Sequence, residues 1–134
     1  MEDTWKGKSI LIADDDIRNT YALSCYLEAM EPGMTILTAA NGQEALELLQ
    51  SRSDIAIVLM DMMMPGMDGY EATRRIRKGS VRQDVPIIAV TAQAMKGDRD
   101  KCLAAGATDY VSKPVDMEIL LKRIIGILNP ACKE

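Results

Sequence analysis

Histidine is absent from this chain of 134 residues. Chemistry that needs an imidazole within the chain is therefore excluded, including Ser-His-Asp hydrolysis and formation of a phosphohistidine. Cysteine is scarce. Cys25, Cys102 and Cys132 are widely spaced and odd in number, with no C-x-x-C pair. That pattern fits neither a zinc knuckle nor a disulfide framework, so reduced, mostly structural thiols in a cytoplasmic protein are expected. Positive charge is not in excess either: 16 Lys and Arg stand against 20 Asp and Glu, for a net charge of −4. Nucleic acid is thus not expected as a partner, because such binding needs clustered cations to neutralise phosphates. The densest basic run, Arg74, Arg75, Arg77 and Lys78, reads as the solvated end of a helix,. Long apolar runs are missing as well. Ile55 to Met60 is far shorter than the roughly 20 residues of a membrane span. No charged-then-apolar leader opens the chain, so neither a secretory signal nor membrane contact is expected,.

What is present suits one globular domain. Hydrophobic residues make up 48% and charged residues 27%, close to ordinary soluble composition. The whole of 1–134 reads as one domain with a core of about 8–128 and short tails,. Short apolar runs alternate with amphipathic stretches. Ser9–Ala13, Met34–Ala39, Ile55–Met60, Pro86–Val90 and Asp109–Ser112 read as strands. The third and fourth are apolar throughout, as strands covered on both faces should be. Between them, Leu23, Leu27 and Met30 share one face of a helix over 17–30, and Asn41 can cap a helix whose Ala45, Leu48 and Leu49 face inward,. Asp68 and Glu71 repeat that capping spacing ahead of a helix to about Lys78,. Asp98 starts a short helix that Gly106 ends,. Asp116 caps a last helix with Leu121, Ile124, Ile125 and Leu128 inside and Asn129-Pro130 as its stop,. Strict alternation of five strands and five helices implies a parallel sheet with right-handed crossovers and helices on both faces, an α/β doubly wound domain.

In open α/β sheets, sites lie beyond the carboxyl ends of the strands. There the sequence places Asp14, Asp15 and Asp16 after the first strand, Asp61 after the third, Thr91 and Ala92 after the fourth, and Lys113-Pro114 after the fifth. Taken singly, each is an ordinary turn or cap residue. Gathered at one rim, the carboxylates of Asp14, Asp15 and Asp61 would repel one another unless a cation offset them. Hard oxygen ligands suit Mg²⁺. Lys113 adds positive charge and Thr91 a hydroxyl, which together describe a site for a phosphoryl group. Asp61 is the candidate nucleophile, since a carboxylate can attack phosphorus to give an acyl phosphate without a general base.

The segments LIADDDIRN, VLMDMMMPGMDGYEATRRIR, PIIAVTAQAMKGDRDKCLAAG and ATDYVSKPVD closely resemble the receiver domain of two-component response regulators, above all receivers of hybrid sensor histidine kinases. The resemblance spans nearly the whole chain. It implies a flavodoxin-like (βα)5 fold with a five-stranded parallel sheet of order 2-1-3-4-5. It also implies a phosphoacceptor switch, fed by a histidine kinase or histidine phosphotransfer protein, rather than a stand-alone enzyme. Asp61 would be the phosphoacceptor. Asp14, Asp15, Asp61 and the backbone carbonyl of Met63 would hold Mg²⁺, with Mn²⁺ as a substitute. Thr91, Ala92 and Lys113 would bind the phosphoryl group, Thr91 and Tyr110 would switch, and Lys113-Pro114 would be a cis bond. Met63 and Gln93 stand where the family tunes phosphoryl lifetime, and Asp16 falls at a variable position that suits a cap. The Met62-Met63-Met64 run reads as packing and loop, and Gly66 and Gly69 as turn residues.

Three other readings compete. The chain could be a receiver cut from a hybrid sensor histidine kinase, with a kinase or output domain in the parent protein. A phosphatase resembling haloacid dehalogenases would need D-x-D-x-T, and here Asp14 and Asp16 fit but Arg18 replaces the threonine. A flavin-binding module would need a Ser/Thr- and Gly-rich loop where three acids stand.

Overall fold

Alternation along each strand decides which side chains enter which layer. In the computed structural model, which describes residues 7–31, 33–79, 82–92 and 97–128, the elements run in strict βα order. They are β1 (Ser9–Ala13), α1 (Ile17–Met30), β2 (Thr35–Ala39), α2 (Gly42–Ser51), β3 (Ile55–Asp61), α3 (Gly69–Lys78), β4 (Ile87–Thr91), α4 (Asp98–Ala105), β5 (Asp109–Ser112) and α5 (Met117–Leu128). The strands form one parallel sheet in the order β2-β1-β3-β4-β5. This is the doubly wound, flavodoxin-like architecture that the resemblance implies.

Ile10, Ile12, Ile57, Leu59, Ile88 and Val90 enter one face of the sheet and pack with Leu23 and Leu27 of α1 and Leu120 and Ile124 of α5. Their strand neighbours Leu11, Ala13, Val58, Met60, Ile87 and Ala89 enter the other. They meet Ala45 and Leu49 of α2, Ala72 and Ile76 of α3, and Cys102 and Ala105 of α4. Full burial of each large aliphatic side chain contributes about 1.5–3 kcal/mol, and both clusters fill on either side of β1, β3 and β4. These central strands can therefore present polar groups at their carboxyl ends and still be held rigidly.

The caps fall where the sequence places them. Asp16 accepts from the backbone N–H of Arg18 and Asn19, Asn41 from Glu44, Asp68 from Glu71, and Asp116 from Glu118 and Ile119. Gly106 ends α4 at φ 117°, a left-handed conformation that glycine adopts without a side-chain clash,. The Asn129-Pro130 stop and Gln93 lie outside the described residues.

Several expectations are corrected. Met30 is exposed, because the last turn of α1 runs past the buried part of its apolar stripe, which ends at Leu27. On α5 the fully buried pair is Leu120 and Ile124, with Leu121, Ile125 and Leu128 only partly buried against them. A four-residue spacing superposes the pair on one helix face, and that face is turned toward Leu120. β2 begins at Thr35, β3 runs on to Asp61, and β4 spans Ile87–Thr91, so Asp61 and Thr91 are the final residues of their strands rather than the first beyond them. Arg77 is not a solvated cation. Its guanidinium donates to the carbonyls of Gly106 at 2.8 Å, Gln83 at 2.9 Å and Val85 at 2.7 Å, which ties α3 to the loops before β4 and β5.

Candidate functional site

Parallel pairing brings the carboxyl ends of β1, β3, β4 and β5 to one rim. Asp14 follows β1, whose Ala13 pairs with Met60, the residue before Asp61. Asp61 pairs across to Val90, and the backbone N–H of Lys113 donates to the Thr91 carbonyl at 2.7 Å. One carboxylate oxygen from each of Asp14, Asp15 and Asp61 lies within 4.8 Å of the others. Lys113 Nζ reaches both buried acids, 3.5 Å from Asp61 Oδ2 and 3.7 Å from Asp14 Oδ2. Thr91 is fully buried beside them on β4, with Ala92 exposed at the rim. The three acids and the lysine expected from sequence lie together, and Thr91 ends the strand next to that of Asp61.

Burial and charge set the electrostatics. Asp61 is only 2% exposed and Asp14 5%. Desolvation raises the Asp61 pKa to about 6, and the neighbouring Asp14 charge pushes the same way. The Met63 N–H, which donates to Asp61 Oδ1 at 3.1 Å, and the Lys113 ammonium pull it back only in part,. One ammonium set against three crowded carboxylates leaves negative charge in excess. The oxygen-only donor set and this uncompensated negative charge fit a hard divalent cation such as Mg²⁺.

The residues around the site have sharper roles than sequence alone suggests. Asp16 is a helix cap, as expected. Met62 and Met64 are buried packing, whereas Met63 is 52% exposed at the mouth. Gly69 is not a turn residue but the first residue of α3. A Cβ there would lie 2.3 Å from the Asp61 carbonyl oxygen and 2.6 Å from Met62 Cα, so only glycine lets α3 start against the Asp61 backbone. Gly66, at φ 73°, does serve a turn. Lys113-Pro114 is cis, and Tyr110 is half-buried against the core beneath α2, α3 and α4.

Two features were not anticipated. The Asn19 side-chain amide donates to Asp14 Oδ2 at 2.6 Å, while the backbone N–H of Asp16 donates to Asp14 Oδ1 at 2.8 Å. The only sequence signal was an amide in the first turn of α1. The Tyr70 hydroxyl donates to buried Asp98 Oδ1 at 3.1 Å, and Lys101 Nζ sits 4.5 Å from the Tyr70 ring centroid. That pair joins the helix after the Asp61 loop to the helix after the Thr91 loop. Burial raises the Tyr70 pKa, and Cys102 and Asp98 raise it further.

The fold and site together are a doubly wound α/β sheet with a lysine-bridged acidic pocket at its carboxyl edge. The family follows from comparison with known proteins. Residues 10–125 match the model of the response regulator receiver domain, and the chain belongs to that family. It is 40% identical over 120 residues to protein PilH of Pseudomonas aeruginosa, covering 89% of this chain and 96% of that one. It is 38% identical over 124 residues to hybrid signal transduction histidine kinase H of Dictyostelium discoideum, covering 90% of this chain but only 9% of the kinase. Among solved structures, it resembles the receiver domain of sensor histidine kinase PA1611 from P. aeruginosa, which has a magnesium ion coordinated in its active site cleft. The TM-score is 0.79 at 36% identity, over 91% of this chain and 97% of that one. It also resembles a chain in the co-crystal of the Saccharomyces cerevisiae phosphotransfer protein Ypd1 with the receiver domain of Ssk1. There the TM-score is 0.79 at 29% identity, over 90% and 88% of the two chains. Membership of this family sets aside the phosphatase and flavin-module readings. Among the described residues, no helix is long and apolar enough to cross a membrane.

Proposed function

We propose that the domain takes a phosphoryl group from a partner phosphohistidine onto Asp61 in a two-component phosphorelay, with Mg²⁺ in the acidic pocket. The observation that carries this reading is the Lys113 ammonium shared between two buried carboxylates, Asp61 and Asp14, with Asp15 beside them. Asp14, Asp15, Asp61 and the Met63 carbonyl would hold the cation, and Mn²⁺ would substitute. When bound, the ion supplies neutralisation of the carboxylates and of the incoming phosphoryl oxygens. Asp61 attacks phosphorus as the bond to the donor imidazole nitrogen breaks, and the electron pair returns to that nitrogen. Lys113 and the Thr91 hydroxyl, with the backbone at Ala92, receive phosphoryl oxygens. Because Asp61 sits at the end of a strand packed on both faces, the chain contributes positioning and charge rather than proton transfer.

The acyl phosphate then biases a two-state surface. Thr91 shifts toward the phosphoryl group, and Tyr110 turns into the space this vacates. The partners are a histidine kinase or a histidine phosphotransfer protein. The domain acts on itself without turnover of a separate substrate, and it works in the cytoplasm. A second reading, a receiver within a hybrid histidine kinase, is supported by the match to kinase H, and the site chemistry is the same in both.

The test is intact mass after incubation with acetyl phosphate and Mg²⁺. Wild type gains one phosphoryl group and Asp61→Asn gains none while keeping its fold. Labelling that survives the substitution overturns the assignment.

A further inference from the structure

The Asp14 carboxylate is held from both sides. Its Oδ1 accepts the Asp16 N–H, and its Oδ2 accepts the Asn19 side-chain amide at 2.6 Å from the first turn of α1. Asp14 is 5% exposed, so water cannot readily replace a lost donor,. The same Oδ2 lies 3.7 Å from Lys113 Nζ, which stands 3.5 Å from Asp61 Oδ2. An Asp14 oxygen without its amide would draw Lys113 away from Asp61. Asn19 itself follows the Asp16 cap, which accepts its backbone N–H. Its side chain is therefore anchored on a rigid helix start.

We infer that Asn19 is a positioning residue: it orients Asp14 toward Asp15 and Asp61 for the cation and keeps Lys113 shared between Asp14 and Asp61. This rests on the reading of the acidic pocket as a Mg²⁺ site. Groups that hold a metal ligand from behind fix its geometry, and their loss typically weakens metal affinity by about 10- to 100-fold.

The experiment titrates Mg²⁺ alone into purified wild type, Asn19→Leu, Asn19→Gln and Asp14→Asn by calorimetry, with thermal melts to confirm folding. Labelling by acetyl phosphate is then followed against Mg²⁺ concentration. Asn19→Leu should weaken Mg²⁺ binding about tenfold. Its labelling rate at saturating Mg²⁺ should return to within about twofold of wild type, because Asn19 acts through Asp14 and touches no phosphoryl group. Asn19→Gln, which keeps an amide donor, should recover part of the lost affinity. An unchanged Mg²⁺ affinity in folded Asn19→Leu overturns the inference, as does a lower saturated rate at unchanged affinity. The underlying reading fails separately: if Asp14→Asn binds Mg²⁺ as tightly as wild type, the pocket itself has been misassigned.

Discussion

Replacing Asp61 by asparagine should make the cation-free domain more stable, and the gain should appear only as pH rises. The Asp61 pKa lies near 6 in the folded protein against an ordinary 3.8, chiefly through burial. Below 3.8 the group is protonated in both folded and unfolded chains and contributes no difference. Between 3.8 and 6 the unfolded chain has released its proton while the folded one retains it, so stability falls as pH increases. Above 6 both are ionised and the whole penalty is present. A rise from 3.8 to about 6, at about 1.4 kcal/mol per tenfold, sets a ceiling of about 3 kcal/mol. The substituted amide would still accept the Met63 N–H but would lose attraction to Lys113, so a gain of about 1–2 kcal/mol is the working expectation. Urea unfolding of both proteins without divalent ions, at about pH 4 and about pH 8, reads the difference directly. The variant should be ahead at the higher pH and near parity at the lower, and Mg²⁺ should narrow the gap by stabilising folded wild type. A variant no more stable than wild type at the higher pH, or a gap independent of pH, would refute the reasoning.

Other substitutions probe the scaffold and the mouth of the site. Gly69→Ala forces a Cβ against the Asp61 carbonyl and Met62 Cα, and should cost more than about 2 kcal/mol in urea unfolding while weakening Mg²⁺ binding through the displaced Asp61 loop. Arg77→Ala removes donors to three loop carbonyls and should cost about 2–3 kcal/mol; a loss below about 0.5 kcal/mol would return Arg77 to an ordinary surface cation. Met63→Asn replaces an exposed apolar side chain at the mouth with one that can hold water, so the acyl phosphate should decay faster. Decay at an equal or slower rate would show that Met63 does not shield it.

The parts of this molecule written in local pattern were legible from sequence. β3 and β4 announce themselves as apolar runs, the Asn41 and Asp68 caps as spacing, the Asp16 and Asp116 caps as acids ahead of helical patterns, and the acids, Thr91 and Lys113 as polar residues at strand ends. Their convergence followed from topology, because parallel strands share a carboxyl edge. What escaped was set by contacts distant in sequence. Nothing in a run of four cations marks Arg77, rather than Arg75, as the one that meets Gly106 across 29 residues. Gly69 looks like punctuation until the Asp61 backbone is seen against it. Leu120 and Leu121 differ by one step of helix rotation, too fine for an apolar stripe to resolve. Asp98 reads as a helix start, yet its carboxylate is buried under Tyr70.

The most direct measurement is the position and chemistry of the phosphoryl group after incubation with acetyl phosphate and Mg²⁺. Hydroxylamine converts an acyl phosphate to a hydroxamate and leaves phosphate esters intact. Peptide mapping after that treatment should find the hydroxamate at Asp61 alone. A hydroxylamine-resistant label, or a hydroxamate at any other carboxylate, would contradict the account.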